Sequence, residues 1–443
     1  MGVKHEAGVG VRAGLALLLI ASVLGCGGGG SDDRRGQNPP PAAPPGGTDV
    51  VATHAYRAGS PYADVLRDCT YAGDATRSCT LATLPFLGMD APDPTIADVM
   101  SRALVSHDWM GANLEAVLGR LPDDVLPLFR SITAVVIASD IRPAHYDPDT
   151  GAIYLDPEFL WLTVAERNTV STEPDPRSGF GLDLQFEMPW RYVRDNQRLT
   201  VFLNADGSRD LEQIEEIMAY LLYHELAHAV DFMPPERLGA LARNLTVPGA
   251  LSQQPRLSTE FQAEWPLQST LLKQLAAVSF LGEDSTAQQR ALQPSDLVAE
   301  FENDGAVQYY AYTTRFEDFA VLFETAMMKW HFGYDKDTAI TSRPASGGTN
   351  AAIVSWGTRG RLGELPVYNR VRAVAERIYP GDLDAFHAFL DNEPTTPPRM
   401  REGETWGANL VLDGVAMTSR ARAAGTDAAG RRPDYFLERV RIR

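Results

Sequence analysis

The chain has 443 residues, of which 44% are hydrophobic and 22% charged, a composition typical of a folded protein with a sizeable core. This length favours one large domain or two closely packed lobes. There are 58 acidic against 40 basic residues, and the formal net charge of -18 disfavours nucleic acid and anionic membrane surfaces as partners.

The N-terminus has the pattern of an export signal. Lys4 and Arg12 precede the apolar run AGLALLLIASVLG, which has secretory-signal length and is short for a membrane span. The run ends at VLGC and resembles the lipobox of bacterial lipoproteins, although Leu24 departs from the usual small residue. We therefore expect residues 1–26 to be a lipoprotein signal peptide, with Cys26 as the lipid anchor. Ordinary signal-peptide cleavage nearby, giving a periplasmic or secreted protein, is the alternative.

Residues 27–50 are predicted to form a flexible tether. Glycine and proline dominate this segment and no apolar periodicity is present. A tether directly after a lipidated cysteine lets a folded domain stand off its membrane. Gly27, in place of an acidic residue, favours the outer membrane or cell surface.

Two further cysteines, Cys69 and Cys79, are separated by a stretch that contains turn-forming residues. In an exported protein this spacing predicts a local disulfide. Two free thiols are the alternative, and the absence of a CxxC pattern argues against a cysteine metal site.

The first half of the globular region contains predicted strands as well as a helix. Helical spacing of apolar residues predicts a helix within 101–121. β-Branched or alternating segments predict strands within 131–141, 150–162 and 197–204. We expect an α+β fold in which a mixed sheet over 51–232 precedes the rest.

A long helix is predicted to begin near Asp210, with Gln213 completing a capping box. A stripe of apolar residues follows, and Pro234 marks its end. The segment LLYHELAHAVDF lies in the last third of this helix.

The remainder, residues 233–443, is predicted to be mainly helical. The expected elements are helices with loops at 233–305, a loop leading into a strong helix at 309–333, a surface loop at 341–352 and a helix at 366–391.

The HELAH motif places two histidines on one face of the predicted helix. Positions four apart are neighbours on a helix, so His224 and His228 can direct their imidazoles at one ion. Glu225 is placed to act on a water bound to that ion. This pattern is typical of a catalytic zinc site. A core helix whose histidines make ordinary hydrogen bonds is the alternative.

A catalytic zinc site needs a third protein ligand and an open position for water. AVDFMPP follows the motif, which excludes the metzincin extension, and His331 is the next histidine. An acidic ligand is therefore expected, and the best candidate segment is TTRFEDFAVLFE.

HELAHAVDF together with the downstream EDFAVLF resembles the gluzincin metallopeptidases, and in particular the anthrax lethal factor family. The resemblance implies a zincin-like fold, one Zn²⁺ ion and Glu317 as the third ligand. It also implies that Tyr310, seven residues earlier, assists the transition state. Val321 stands where the family often has a second acid, and 88 residues separate His228 from Glu317. The resemblance covers two short blocks.

Other assignments stay open for the acids. Glu317 could be a solvated helix residue, and Glu260, Glu264 and Glu324 are rival ligands. Asp318 is expected to support the ligands from outside the coordination sphere.

Three further side chains have two possible roles each. Asp231 could hold the His228 ring through its second N–H, or could cap a helix or form a salt bridge. Tyr312 is the substitute for Tyr310, and both could be core aromatics. His107 is expected to be structural.

The sequence therefore predicts a zinc peptidase in which His224, His228 and Glu317 bind Zn²⁺ and Glu225 is the general base. One of the strands predicted within 131–141 and 150–162 could present an open edge, to which an extended peptide substrate would add as a further strand. The alternatives are a non-enzymatic envelope or binding protein with a structural or vestigial site, and a zinc hydrolase of cell-wall amides.

Overall fold

The computed structural model describes residues 52–71, 77–200, 203–253, 255–346 and 348–413. The predicted signal peptide, the tether and Cys26 lie outside these ranges. Within them, no helix combines the length and apolar character needed to cross a membrane.

A mixed five-stranded sheet lies in the N-terminal half. Its strands are β1 (His54–Ala55), β2 (Ala103–Val105), β3 (Val135–Ile137), β4 (His145–Asp147) and β5 (Ala152–Leu155). They are ordered β1-β2-β3-β5-β4, with β2, β3 and β5 parallel and the two outer strands antiparallel. The strands predicted within 131–141 and 150–162 are confirmed as β3 and β5, whose residues are fully or almost fully buried.

A second, antiparallel sheet joins sequence-distant parts of the chain. Its strands are β6 (Phe186–Glu187), β7 (Trp190–Arg194), β8 (Gln197–Arg198), β9 (Asp335–Ser342) and β10 (Val354–Arg359). The order is β10-β9-β7-β8, and β6 also pairs with β9. The strand predicted over 197–204 is confirmed at its start, and residues 201 and 202 of that range lie outside the described residues.

The second half of the chain, predicted to be mainly helical, also contributes two strands to this sheet. β9 and β10 lie in that half, and β9 extends into the segment predicted to be a surface loop. Because β9 pairs with β6 and β7, one sheet spans the predicted boundary at residue 232. The coarser prediction, a mixed α+β fold, is confirmed.

Helices make up most of the remaining regular structure. In chain order, α1 to α14 are Leu66–Thr70, Ile96–Met100, Asp108–Leu118, Val125–Leu128, Val164–Arg167, Leu211–Phe232, Val247–Leu251, Leu257–Glu264, Thr270–Phe280, Ala287–Ala291, Pro294–Glu302, Arg315–Phe332, Leu365–Ile378 and Leu383–Leu390. The helix predicted within 101–121 is α3, and the start of that range forms β2 instead. The helix predicted over 366–391 is divided into α13 and α14.

The long helix α6 begins where its capping residues predict. The Asp210 side chain accepts a hydrogen bond from the Gln213 amide at 3.0 Å, and the Gln213 side chain accepts one from the Asp210 amide at 2.8 Å. This reciprocal pair satisfies two amides that the helix itself leaves unpaired. From Ile217 to Phe232 every residue of α6 is buried, so the helix runs through the core.

Helix α12 packs antiparallel against α6. The Phe316 ring near its start lies 5.0 Å from the Phe232 ring, and Phe323 lies 5.9 Å from Tyr223. Thr314 caps α12, and Gly333, with a φ of 72°, ends it in the left-handed conformation that glycine adopts readily. This packing brings the start of α12 beside the last third of α6.

The predicted disulfide between Cys69 and Cys79 is present, with Cα atoms 5.2 Å apart. The bond links α1 to the segment that begins at residue 77 and leads toward α2. Cys69 packs with Leu104 and Val136, on a small apolar cluster at one face of the first sheet.

Candidate metal centre

The two histidines of α6 face each other in the protein interior. His224 and His228 are 7% and 5% exposed. Their rings are nearly perpendicular, and their Nε2 atoms are 3.2 Å apart. The spacing of four residues therefore does what the sequence predicts, since both imidazoles present the same nitrogen to one point.

Glu317 completes the cluster from the first turn of α12. The Thr314 hydroxyl accepts a hydrogen bond from the Glu317 amide at 3.1 Å, which fixes the start of the helix. The Glu317 Oε2 atom then lies 3.1 Å from the Nε2 of His224 and 3.5 Å from that of His228. Two nitrogens and one oxygen thus meet in a buried triangle.

The triangle has the dimensions of a coordination site. A tetrahedral ion with bonds of about 2.0–2.1 Å separates its ligand atoms by roughly 3.3–3.4 Å. The three distances, 3.1, 3.2 and 3.5 Å, bracket that value. Buried Oε2 of Glu317 has no aligned hydrogen-bond donor among the described residues. Because buried polar atoms are normally satisfied, the donor set fits a cation.

Electrostatics in the ion-free cluster favour a charged pair. Burial by itself would raise the pKa of Glu317, but His228 and His224 outweigh burial and hold that pKa well below its ordinary range. Burial would likewise lower the pKa of His224, yet Glu317 and Glu324 outweigh it and raise the value to about 10. A proton on His224 therefore occupies the place that a cation would take.

Glu225, next to His224, does not belong to the triangle. It is 4% exposed, and its Oε2 atom has no hydrogen-bond partner within the described residues. Burial raises the pKa of Glu225, and the two histidines only partly offset this. The result is a buried carboxyl group beside the cluster whose pKa lies above that of an exposed glutamate, a property suited to proton transfer.

Glu324 approaches His224 from the other side of the ring. Its Oε2 atom is 3.3 Å from the Nδ1 of His224, although the two are not aligned as a standard hydrogen bond. Its other oxygen pairs with the Lys336 ammonium group. As a rival third ligand Glu324 is therefore misplaced, because the two Nε2 atoms point at Glu317.

The two candidate tyrosines lie in different surroundings. Burial raises the pKa of Tyr310 well above its ordinary value, and the adjacent Glu317 carboxylate raises it further. The Tyr310 ring packs edge-on against Phe280 at 5.1 Å. Tyr312 instead lies beside Asp304, which adds to the effect of burial in raising its pKa. Of the two, Tyr310 is the residue at the cluster.

The predicted supporting acids make other contacts. Asp231 accepts a hydrogen bond from the Ser258 amide at 2.6 Å and so caps the first turn of α8, while its Oδ2 atom has no partner among the described residues. Its expected role in orienting His228 stays a prediction. The Asp318 carboxylate pairs with Arg370 of α13, so it lies against that helix instead of the histidines.

The remaining rivals lie away from the cluster. Glu260 is exposed, and Glu264 is exposed and paired with Arg377 at 3.0 Å. Val321, which stands where the resembling family often has a second acid, is fully buried one turn after Glu317. His107 stands at the start of α3 and contacts the Ser106 hydroxyl at 2.9 Å, in agreement with a structural role.

Sequence reasoning missed the partners that the second sheet supplies. Lys336 lies in β9 and Tyr192 in β7, and both contact Glu324. Neither stands in a motif, and only the pairing of β7 with β9 brings them together. The His-Glu spacing could not reveal them.

The chain matches no known protein family, no curated protein and no solved structure.

Proposed function

We propose that this protein is a zinc-dependent peptidase of the gluzincin type, with a zincin-like arrangement of sheet and active-site helix. The observation that carries the proposal is the convergence of His224, His228 and Glu317 on one buried point with coordination spacing. Two imidazoles and one carboxylate form a donor set used for catalytic zinc, with a fourth position open to water.

Bound at this point, zinc would lower the pKa of a coordinated water to about 7 and polarise a substrate carbonyl. Glu225 would accept the proton of that water, because its buried carboxylate stands next to His224 and has an oxygen that no described residue hydrogen-bonds. Its raised pKa also suits the return of the proton to the leaving amine.

The Tyr310 hydroxyl would donate a hydrogen bond to the oxyanion that develops on the substrate. Its strongly raised pKa keeps it protonated at neutral pH, so the hydroxyl carries the hydrogen that the oxyanion would accept. Its nearness to Glu317 places it on the carboxylate side of the cluster.

An extended peptide is the substrate class that the fold supports best. The open edge expected on β3 or β5 is not found, because each of these strands is paired on both sides. Strand β4 is one of the two outer strands of the first sheet and runs antiparallel to β5. Tyr146 of β4 packs against Phe232 at the end of α6, with ring centroids 5.5 Å apart. An edge strand in contact with the histidine-bearing helix can accept a peptide as a further strand.

Export as a lipoprotein is part of the same proposal. The lipobox-like cysteine at position 26 and the tether of residues 27–50 would hold the domain at the outer membrane or cell surface. The disulfide between Cys69 and Cys79 is in keeping with an oxidising compartment outside the cytoplasm.

Titration of the metal-free protein with zinc tests the proposal. We expect one zinc ion per chain, with release of about one proton at neutral pH, because His224 is protonated in the ion-free state and must lose that proton to bind metal. Affinity should rise with pH and level off above about 10, where His224 is already neutral. Isothermal calorimetry in buffers of different ionisation enthalpy measures both quantities.

The zinc-loaded protein should then cleave members of a peptide library, with products identified by mass spectrometry. Cell-wall fragments should be tested alongside the peptides. Hydrolysis of the cell-wall fragments but of no peptide would mean that the protein is an amide hydrolase instead of a peptidase. A coordination sphere closed by four protein ligands in X-ray absorption spectra would contradict a catalytic zinc.

Replacement of Tyr310 with phenylalanine should lower kcat by about 10²- to 10³-fold while zinc affinity is retained, because one donor to the oxyanion is lost. Tyr312→Phe is the matched control. This second tyrosine is equally buried and two residues away, but it lies beside Asp304. Equal losses of kcat in the two variants would remove Tyr310 from its proposed role.

A further inference from the structure

A lysine is buried in the middle of the second sheet. Lys336 of β9 is 2% exposed, and its ammonium group forms an ion pair with Glu324 and donates a hydrogen bond to Gln308 at 2.9 Å. The rings of Trp190 and Tyr192 lie 4.6 and 4.7 Å from the nitrogen. The cation is thus enclosed by one carboxylate, one amide oxygen and two aromatic faces.

The Glu324 carboxylate connects this enclosure to the histidine cluster. Oε1 accepts hydrogen bonds from the Lys336 ammonium and from the Tyr192 hydroxyl, the latter at 2.5 Å. Oε2 points the other way, toward the Nδ1 of His224 at 3.3 Å. One oxygen is held by the sheet, and the other faces the ring nitrogen that does not belong to the ligand triangle.

A buried ion pair of this kind is not explained by a contribution to folding stability alone. Removing a lysine and a glutamate from water is costly, and apolar residues of similar volume often stabilise a core as well or better. Lys336 and Glu324 are each about 1% exposed at the side chain. Their position behind His224 indicates another role, because metal-bound histidines usually donate their second N–H to a carboxylate that fixes the ring.

We propose that Lys336 and Tyr192 are positioning residues for the metal centre. They hold the Glu324 carboxylate in place, so that it accepts the Nδ1–H of His224 and leaves the Nε2 lone pair directed at the ion. This inference deepens the proposed function and rests on its zinc site. It assigns the second sheet a part in metal binding that no motif in the sequence indicates.

The neighbouring residue provides an internal comparison. Asp337 is also fully buried, but it pairs with Arg191 at 2.9 Å and Arg359 at 2.7 Å. Successive residues of a strand point to opposite faces, so this second ion network lies on the other side of the sheet from Glu324. It contributes to the sheet without a contact to His224 among those the structure describes.

The experiment is a measurement of zinc affinity by competition with a chromophoric chelator, together with thermal unfolding of each variant. Lys336→Met, which keeps an apolar side chain of similar length, should weaken zinc binding by about 10- to 100-fold. Tyr192→Phe removes one of the donors to the Oε1 atom of Glu324 and should shift affinity in the same direction by less. Asp337→Asn should lower the unfolding temperature and leave zinc affinity unchanged.

Several results would overturn the inference. Unchanged zinc affinity in both Lys336→Met and Tyr192→Phe would show that the enclosure does not act on His224. An equal loss of affinity in Asp337→Asn would assign the effect to general loosening of the sheet. If Lys336→Met does not fold, Tyr192→Phe decides alone. Failure of the unsubstituted protein to bind zinc would contradict the proposed function itself, which separates the two cases.

Discussion

Substitution of Glu225 by glutamine should leave zinc bound and lower kcat for peptide hydrolysis by about 10²- to 10⁴-fold. Glutamine has the same shape but cannot accept the proton of a bound water. Glu225 is not among the three converging ligand atoms, so its replacement leaves the coordination set intact. Zinc content by atomic absorption and kcat on a cleavable peptide are the measurements.

The environment of Glu225 indicates that glutamine can replace it without disturbing the structure around it. Its Oε2 atom has no hydrogen-bond partner among the described residues, so an amide there breaks no existing bond at that atom. Glu215→Gln on the same helix is the control, because Glu215 pairs with Arg120 at 2.5 Å near the other end of α6. Hydrolysis at the original rate in Glu225→Gln would remove the proposed general base.

Replacement of Glu317 with alanine should weaken zinc binding by more than the 10- to 100-fold typical for loss of an outer partner. It removes the only carboxylate oxygen within 3.5 Å of both Nε2 atoms among the described residues. At limiting zinc concentration the Glu317→Ala variant should bind no metal and therefore hydrolyse no peptide. Competition with a chelator and kcat at saturating zinc separate loss of binding from loss of chemistry.

Asp318→Asn is the matched control for that variant. Asp318 is the next residue and is equally buried, and its carboxylate pairs with Arg370 of α13. The control should therefore lose stability, because it breaks a buried ion pair, and keep its zinc affinity. Comparable zinc affinities in Glu317→Ala and Asp318→Asn would show that Glu317 is not a ligand.

Local signals in the sequence predict the histidine-bearing half of the site well. The capping pair Asp210 and Gln213 and the closing proline at 234 delimit α6, and the spacing of four residues fixes the relation of the two imidazoles. These features depend on short-range geometry that a single helix determines.

The second sheet could not be predicted, because its longest strand, β9, lacks the alternation of hydrophobic and polar residues that marks a strand in a sequence. In β9 the polar residues Lys336, Asp337 and Thr338 are all buried, and the charges of Lys336 and Asp337 are paired with residues from other elements. Hydrophobic alternation, the main signal for a strand, is therefore lost. Only the partners explain why such residues lie inside.

The sequence predicts that an acidic residue of α12 approaches the histidines, but not which of two glutamates is the ligand. Glu317 and Glu324 are seven residues apart, so they lie on the same face of α12 two turns from each other. Sequence spacing makes either a possible ligand of His224. Packing against α6 decides, because it sets Glu317 at Nε2 and Glu324 at Nδ1 of the same ring.

The antiparallel contact between α6 and α12 determines which parts of the chain can accept insertions. The 88 residues between His228 and Glu317 form one long excursion whose two ends are held together by that contact. The entropy of closing so long a loop grows by only about 0.6 kcal/mol for each doubling of its length. Insertions into the exposed turns of this excursion, such as the one at residues 282–284, should therefore leave the cluster of His224, His228 and Glu317 in place. The cluster is held by two packed helices, so exposed turns between them can lengthen without moving its three side chains.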